Sequence, residues 1–331
     1  MQQHVAEQTM RQFLQRRGHS VHFNKRVCDI AEFAEGSQYK LEFESGEVLT
    51  ARYIVAADGS KSVLRSFAGI PFIDPYTKKP AAPGPNDPSF VVADVLFEKL
   101  TSSLPRDGGQ VRLGEDGMVL TAPMLDPSLP PEIRENFFRI YIGMSDTPPR
   151  EPDIAYLQAI LDRRGPGSLS VPRDVPKIAK LLHSSRYRTR SALADTFLHA
   201  TKGGAYILLA GDAAHTHGPA GGQGMNLGIC DGCELAVAID EHRNATLAGG
   251  LNSSVAVNSL EAYAKRRRAM ARKVIDMVYG MTELEKGGTG WMPYLRVTFI
   301  RIISRLPFVL GLMAWDFSGL GRINLKYLKK A

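Results

Sequence analysis

Three cysteines in 331 residues are too few to staple a chain of this size. A disulfide framework is excluded, and the expected setting is a reducing, cytoplasmic one. Long hydrophobic runs are also missing. The stretch between Arg305 and Asp316 has ten apolar residues or glycine, short of the roughly 20 that a membrane span needs. The opening MQQHVAEQTMRQF is polar and amphipathic, so it does not read as a secretory signal. A basic groove interleaved with aromatics is lacking, which argues against nucleic acid. The net charge of +7 is mostly one tail, because seven Lys/Arg lie from Arg296 onward against a single acid, Asp316. The last absence is a strand, Gly-rich turn and helix near the start, with which dinucleotide-binding chains usually open.

What remains suits a globular α/β protein. Apolar residues make up 44% and charged residues 23%, enough for a sizeable core. Helical spacing of Val5, Thr9 and Phe13 predicts a helix over 4–17, closed by Gly18. Strands are expected at Val21 and Phe23, and again at Tyr39, Leu41 and Phe43. The apolar run 53–57 stops at Asp58-Gly59, and the run 205–210 stops at Gly211-Asp212. Buried strands that end in such loops are where α/β folds place ligands. Between the two runs, 89–98 and 137–144 read as strands and 153–164 as a helix. Six prolines between Pro71 and Pro88 mark the crossing. Helices are predicted over 223–242 and 259–285, with further helical segments in the last 40 residues.

Two motifs carry chemistry. The first is Asp58-Gly59 with Ser62 and Arg65. Glycine permits the tight turn and a helix is expected to start at Ser60–Ser62. The aspartate can accept hydrogen bonds from sugar hydroxyls, and the arginine can pair with Asp58 or with a phosphate. The same residues also suit an ordinary capped turn with a surface ion pair. The second motif is Gly211-Asp212-Ala213-Ala214-His215, then Pro219, Gly222-Gln223-Gly224-Met225-Asn226 and Asp231. Small residues let a bulky flat ligand approach the backbone. The following helix points its free N–H groups and positive dipole end at that ligand. Two rival readings use neighbouring residues. His215, His217, Cys230 and Cys233 could form a zinc-binding module, although the two cysteines fall inside the predicted helix. Cys230 and Cys233 could also be a redox pair, against which stands their distance from the helix start.

Both motifs, in this order, resemble the single-component FAD-dependent aromatic hydroxylases, the family of para-hydroxybenzoate hydroxylase. The resemblance is strong over 1–70 and 187–245. It implies a Rossmann-like FAD-binding domain, 1–75 with 187–245, interrupted by a β-rich substrate domain, 76–186, and followed by a C-terminal helical region, 246–331. It implies FAD contacts from Gln3, Asp58, Gly59, Ser62, Arg65, Gly211, Asp212, Pro219, Gly222, Gly224, Met225 and Asn226. Pro219 and the helix N-terminus at Gly222 would lie beside the flavin ring. The implied reaction is hydroxylation of a phenolic small molecule with NAD(P)H and O2 through a flavin C4a-hydroperoxide. No catalytic side chain and no metal are implied. Arg139, Tyr141 and Tyr187, on strands of the insert, are the expected substrate contacts.

The family's G-x-G-x-x-G unit has no counterpart here, so the FAD domain is expected to be incomplete at its N-terminal side. The alternative reading is a fragment that is inactive alone or completed by a partner. For the tail, residues 296–330, two readings stay open: packing on the FAD domain with basic residues outward, or peripheral contact with an anionic membrane. A homodimer is also left open.

Overall fold

The computed structural model describes residues 3–81, 89–114, 117–124, 129–144, 147–188, 190–249 and 254–285, with isolated positions at 306–308, 311 and 315. The side chain of Gln3 and nearly all of the basic tail, with the expectations attached to them, lie outside these described residues. Among the described residues no helix is long and apolar enough to cross a membrane.

The chain opens with α1 (Gln3–Arg16). Val21 and Phe23 are not in a strand; both are exposed, at 46% and 63%. An alternating pair without burial or a pairing partner does not make a strand. The next elements are an antiparallel meander of β1 (Val27–Phe33), β2 (Gln38–Phe43) and β3 (Val48–Ala51). Then come β4 (Tyr53–Ala56), α2 (Val63–Phe67) and β5 (Phe72–Ile73). The middle of the chain supplies β6 (Ser89–Phe97), β7 (Gln110–Gly114), β8 (Gly117–Pro123), α3 (Pro131–Arg134), β9 (Phe137–Met144), α4 (Ile154–Arg164) and β10 (Ile178–Arg188). The remainder is β11 (Ala192–Ala194), β12 (Leu198–Ala200), β13 (Tyr206–Leu209), β14 (His215–Thr216), α5 (Gln223–Gly249) and α6 (Ser254–Glu285).

These elements fall into two compact units. One is built within Asn24–Pro83 and Arg190–Thr282. Its centre is the parallel pair β4 and β13, with β12 antiparallel on the far side of β13. All four residues of β13 are buried, as expected of a strand covered on both faces. Leu260, Tyr263, Ala264, Ala271, Val274, Ile275 and Val278 of α6 pack into the same core. Their spacing is one helical stripe. Both motif loops leave the carboxyl ends of this parallel pair.

The other unit includes Gly84–Thr189 and the opening segment. Its sheet is antiparallel, in the order β10-β6-β9-β8-β7. One face is buried: Val91, Ala93 and Val95 of β6 and Phe138, Ile140 and Ile142 of β9 pack with Leu157, Ile160 and Leu161 of α4. Asp153 starts that helix by accepting the Tyr156 N–H at 2.8 Å. The alternation puts Phe90, Val92 and Asp94 with Arg139 and Tyr141 on the opposite face.

Candidate functional site

At the end of β4 the chain turns at Gly59, whose φ of +84° favours glycine. Asp58 is exposed, yet its Oδ2 accepts hydrogen bonds from the N–H groups of Val63 (2.8 Å) and Leu64 (3.2 Å). Ser62 is buried and caps α2, its Oγ accepting the Arg65 N–H at 2.9 Å. The first motif therefore closes its own helix N-terminus.

Arg65 is 6% exposed. It donates from Nη1 to the Ala213 carbonyl at 2.8 Å and from Nη2 to the Ser60 carbonyl at 3.0 Å. Its Cζ lies 3.9 Å from the centre of the Phe72 ring. Burial lowers its pKa, opposed by the nearby Asp58 carboxylate. The Asp58 carboxylate, one of the partners the sequence allows, acts on Arg65 only through its charge, while the hydrogen bonds of Arg65 go to carbonyls and make it a strut from the first motif to the second.

The second motif begins with a tight turn, Gly211–Ala213, at the end of β13. Gly211 has a φ of +60°. A Cβ on Gly228 of α5 would stand 3.3 Å from the Gly211 Cα, so the helix crosses the turn at glycine-on-glycine distance. Asp212 is exposed, while Ala213, Ala214 and His215 are buried. The chain then passes Pro219 and two left-handed glycines, Gly221 (φ +75°) and Gly222 (φ +60°), before α5 starts. A Cβ on Gly222 would meet nothing within 4 Å, so that approach is open. Pro219, Gly222, Met225 and Asn226 are exposed around it.

Below the open edge lies a buried polar layer. Asp231, with no exposed surface, accepts the Gly211 N–H at 2.9 Å and lies 2.7 Å from His215 Nε2, both through Oδ2. Arg267 Nε donates to its Oδ1 at 2.6 Å, and Arg267 Nη1 to Glu234 Oε1 at 3.0 Å. Burial works against the Asp231 carboxylate, but His215, Arg267 and the Gly211 N–H together hold it below the usual carboxylate range. Sequence reasoning missed Arg267 and Glu234. A signal existed: Arg267 continues the apolar stripe of Leu260, Tyr263 and Ala264, where a solvated arginine does not belong.

His217 fixes its own tautomer by placing Nδ1 2.7 Å from the Gly218 carbonyl. Nε2 is then a bare acceptor, buried and without a partner among the described residues, beside Gly224. Thr216 Oγ1 is likewise buried without a partner among the described residues. Burial, opposed by the Gly218 carbonyl, lowers the His217 pKa. Unsatisfied buried polar atoms beside an open helix start suit a ligand with polar groups of its own. The zinc reading finds no support. His215 is engaged with Asp231, Cys233 is exposed, and among the described residues no group of three or more His, Cys, Asp or Glu could hold a metal ion.

In the other unit, Arg139 pairs with Asp94 across the β6–β9 register through two bonds of 2.6 and 2.8 Å. That pairing raises its pKa, so the charge is already matched. Tyr141 stands two residues on, on the same face. Tyr187, 47% exposed, stacks on Phe90 with centroids 5.9 Å apart.

A family model described as "FAD binding domain" matches residues 1–112 and 173–278. The chain is 27% identical over 281 residues to a rifampicin monooxygenase of Rhodococcus hoagii, covering 82% of this chain and 49% of that protein. It is 28% identical over 318 residues to a 3-(3-hydroxy-phenyl)propionate/3-hydroxycinnamic acid hydroxylase of Burkholderia vietnamiensis, covering 94% and 49%. Among solved structures, p-nitrophenol 4-monooxygenase from Pseudomonas putida superposes with a TM-score of 0.68 at 18% identity, over 96% of this chain and 72% of that one. An aromatic hydroxylase from angucycline biosynthesis gives 0.65 at 23%, over 96% and 57%. At these identities the structural likeness speaks for the fold. The chain spans about half the length of the curated relatives it matches.

Proposed function

The chain belongs to the FAD-binding-domain family of flavoprotein monooxygenases, and from that premise we propose that it is the FAD-holding and substrate-binding part of an aromatic hydroxylase. The reaction would consume NAD(P)H and O2 and place one oxygen atom on an aromatic small molecule. The observation that carries this reading is the turn Gly211–Ala213 at the end of a buried strand, with α5 starting at an open edge beside it.

The residues present fit FAD. Asp212, exposed at the strand end, suits the ribityl hydroxyls. Pro219, Gly222, Gly224, Met225 and Asn226 line the approach to the helix start, whose N–H groups favour the negative edge of a reduced flavin. His217 Nε2 is an acceptor, and Thr216 Oγ1 a hydroxyl that can donate or accept, each without a partner among the described residues. Asp58 and Gly59 would serve the dinucleotide side, while the buried Ser62 and Arg65 keep their loop in shape. When bound, FAD would supply electron transfer and oxygen activation; the protein would bind, orient and exclude water.

The substrate-binding role falls to the half-buried face of the five-stranded sheet. Tyr141 and the Tyr187–Phe90 stack offer ring faces for an aromatic guest. Arg139, matched by Asp94, would act as a hydrogen-bond donor more than as a free cation. The division into an FAD-binding part around β4 and β13 and a substrate part around β6–β10 belongs to the same proposal.

The test is a titration of the purified full chain with FAD, followed by quenching of flavin fluorescence. One saturable site per chain is expected, weakened by Asp212→Ala. Absence of saturable binding by a well-folded chain would overturn the reading. Incorporation of label from 18O2 into an aromatic product would then establish the reaction type.

A further inference from the structure

Arg267 stands on α6, outside both motifs. Its side chain is 1% exposed. The guanidinium uses three donors at once: Nε to Asp231 Oδ1 (2.6 Å), Nη1 to Glu234 Oε1 (3.0 Å) and Nη2 to the Leu227 carbonyl (3.1 Å). A planar fork with three partners has one orientation. Asp231 is thereby held with Oδ1 toward α6 and Oδ2 toward the turn, where it meets the Gly211 N–H and His215 Nε2. Gly211 and His215 flank Asp212. One carboxylate thus couples the third helical turn of α5 to both ends of the segment that carries the exposed aspartate.

A mainly structural role would need less. The α6 stripe already packs Leu260, Tyr263, Val274 and Ile275 into the core. Buried ion clusters are seldom a net gain in stability over apolar residues of the same volume. What such a cluster supplies here is a fixed direction for each Asp231 oxygen.

We propose that Arg267 is a positioning residue for the flavin: acting through Asp231, it holds the Gly211 N–H and the His215 ring in the arrangement that presents Asp212 to FAD. The proposal rests on the reading of the Gly211–His215 turn as an FAD contact. It needs no further cofactor and no proton transfer.

The test uses the full chain with Arg267→Lys, which keeps the charge and loses the fork, and Val274→Ala, which loosens the same helix without touching Asp231. Three quantities are read: FAD affinity, the urea midpoint of the flavin-free chain, and the His215 imidazole N–H resonance. Arg267→Lys is expected to weaken FAD about tenfold or more, the worth of one charge-assisted hydrogen bond, and to shift or broaden the His215 signal. Val274→Ala should lower the midpoint with FAD affinity unchanged. Wild-type FAD affinity in Arg267→Lys with an unchanged His215 resonance overturns the proposal. So does a Val274→Ala variant that loses as much affinity at an equal loss of midpoint. Should Arg267→Lys not fold, the neutral pair Asp231→Asn with Arg267→Gln is read in its place. Should the wild-type chain take no FAD, the flavin reading of the turn fails. The His215 resonance still decides whether Arg267 governs the turn.

Discussion

Removing the Arg65 strut should separate the two motif loops energetically, and the size of the effect can be worked out. Arg65→Leu deletes two hydrogen bonds from a buried cation, to Ala213 O and Ser60 O, each worth about 1.5–3 kcal/mol. It also deletes a cation–π contact with Phe72 at 3.9 Å, worth about 2 kcal/mol where water is excluded. Against this gross loss of about 5–8 kcal/mol stands the burial penalty on the guanidinium, visible as its lowered pKa. Leucine also returns about 1.5–3 kcal/mol of apolar burial. The net loss should be about 2–4 kcal/mol. Phe72→Leu alone should cost about 2–3 kcal/mol, most of it the same cation–π contact. The double variant should lose about 1–2 kcal/mol less than the sum, because the cation–π contact is counted twice in the single variants. Urea unfolding followed by far-UV circular dichroism gives all four corners of the cycle. A coupling within about 0.5 kcal/mol of zero would refute the idea that the ring and the cation act together. An Arg65→Leu loss under about 1 kcal/mol would refute the strut itself.

Acid should weaken the fold through its buried histidines. His242 lies 2.7 Å from Tyr53 Oη and 3.1 Å from Tyr206 Oη, and burial lowers its pKa, as it does for His217. The unfolded chain then takes up protons that the fold refuses, so this stability is complete above about pH 6.5 and is lost progressively below it. Urea midpoints compared above and below that pH should show the loss, and His242→Gln should shrink it; an undiminished drop would sink the assignment. Gly211→Ala forces a Cβ into a φ of +60° and should cost about 1–2 kcal/mol, with weaker FAD binding; unfolding and flavin titration of the variant check both. Asp153→Ala removes the cap on α4 and should cost about 1 kcal/mol, measured in urea, with FAD affinity unchanged.

Much of the fold could be read from periodicity, and two of the misses share a cause. The apolar runs of β4 and β13, the alternation of β6 and β9, and the α4 pattern each reflect a face or a core that must exclude water. Among the strands without an individual signal, β1 and β10 are sheet edges. In β1 only Ile30 is buried, and in β10 only Ile178. An edge strand needs no second apolar face, and its charged residues discourage pairing with other chains. Hence VCDIAEF and IAKLLHSSRYR carry little alternation. The same limit applies to α5, whose buried face includes Gln223, Asp231, Glu234 and His242. A helix that buries polar groups against partners far along the chain looks, from its own residues, like a weakly amphipathic one. Its partners, Arg267 for the acids and Tyr53 and Tyr206 for the histidine, come from other elements.

The motif residues themselves divide by what they touch. Ser62 and Arg65 are buried and spend their polar groups on the chain, and Asp58 closes the helix that follows it. Gly211 binds Asp231 and meets Gly228. Only Asp212, Pro219, Gly222, Met225 and Asn226 face outward around the start of α5. A signature that looks like one list of ligand contacts is thus an outward set carried by an inward one. The inward set is the larger in energetic terms, because its buried charges Arg65 and Asp231, the latter held by Arg267 from outside the motif, become costly when a partner is lost. Substitutions in the outward set should therefore change flavin affinity at nearly constant stability, and substitutions in the inward set should change both together. Asp212→Ala and Arg65→Leu, measured side by side for FAD affinity and urea midpoint, put this division to the test. It fails if Asp212→Ala unfolds the chain as readily as Arg65→Leu does.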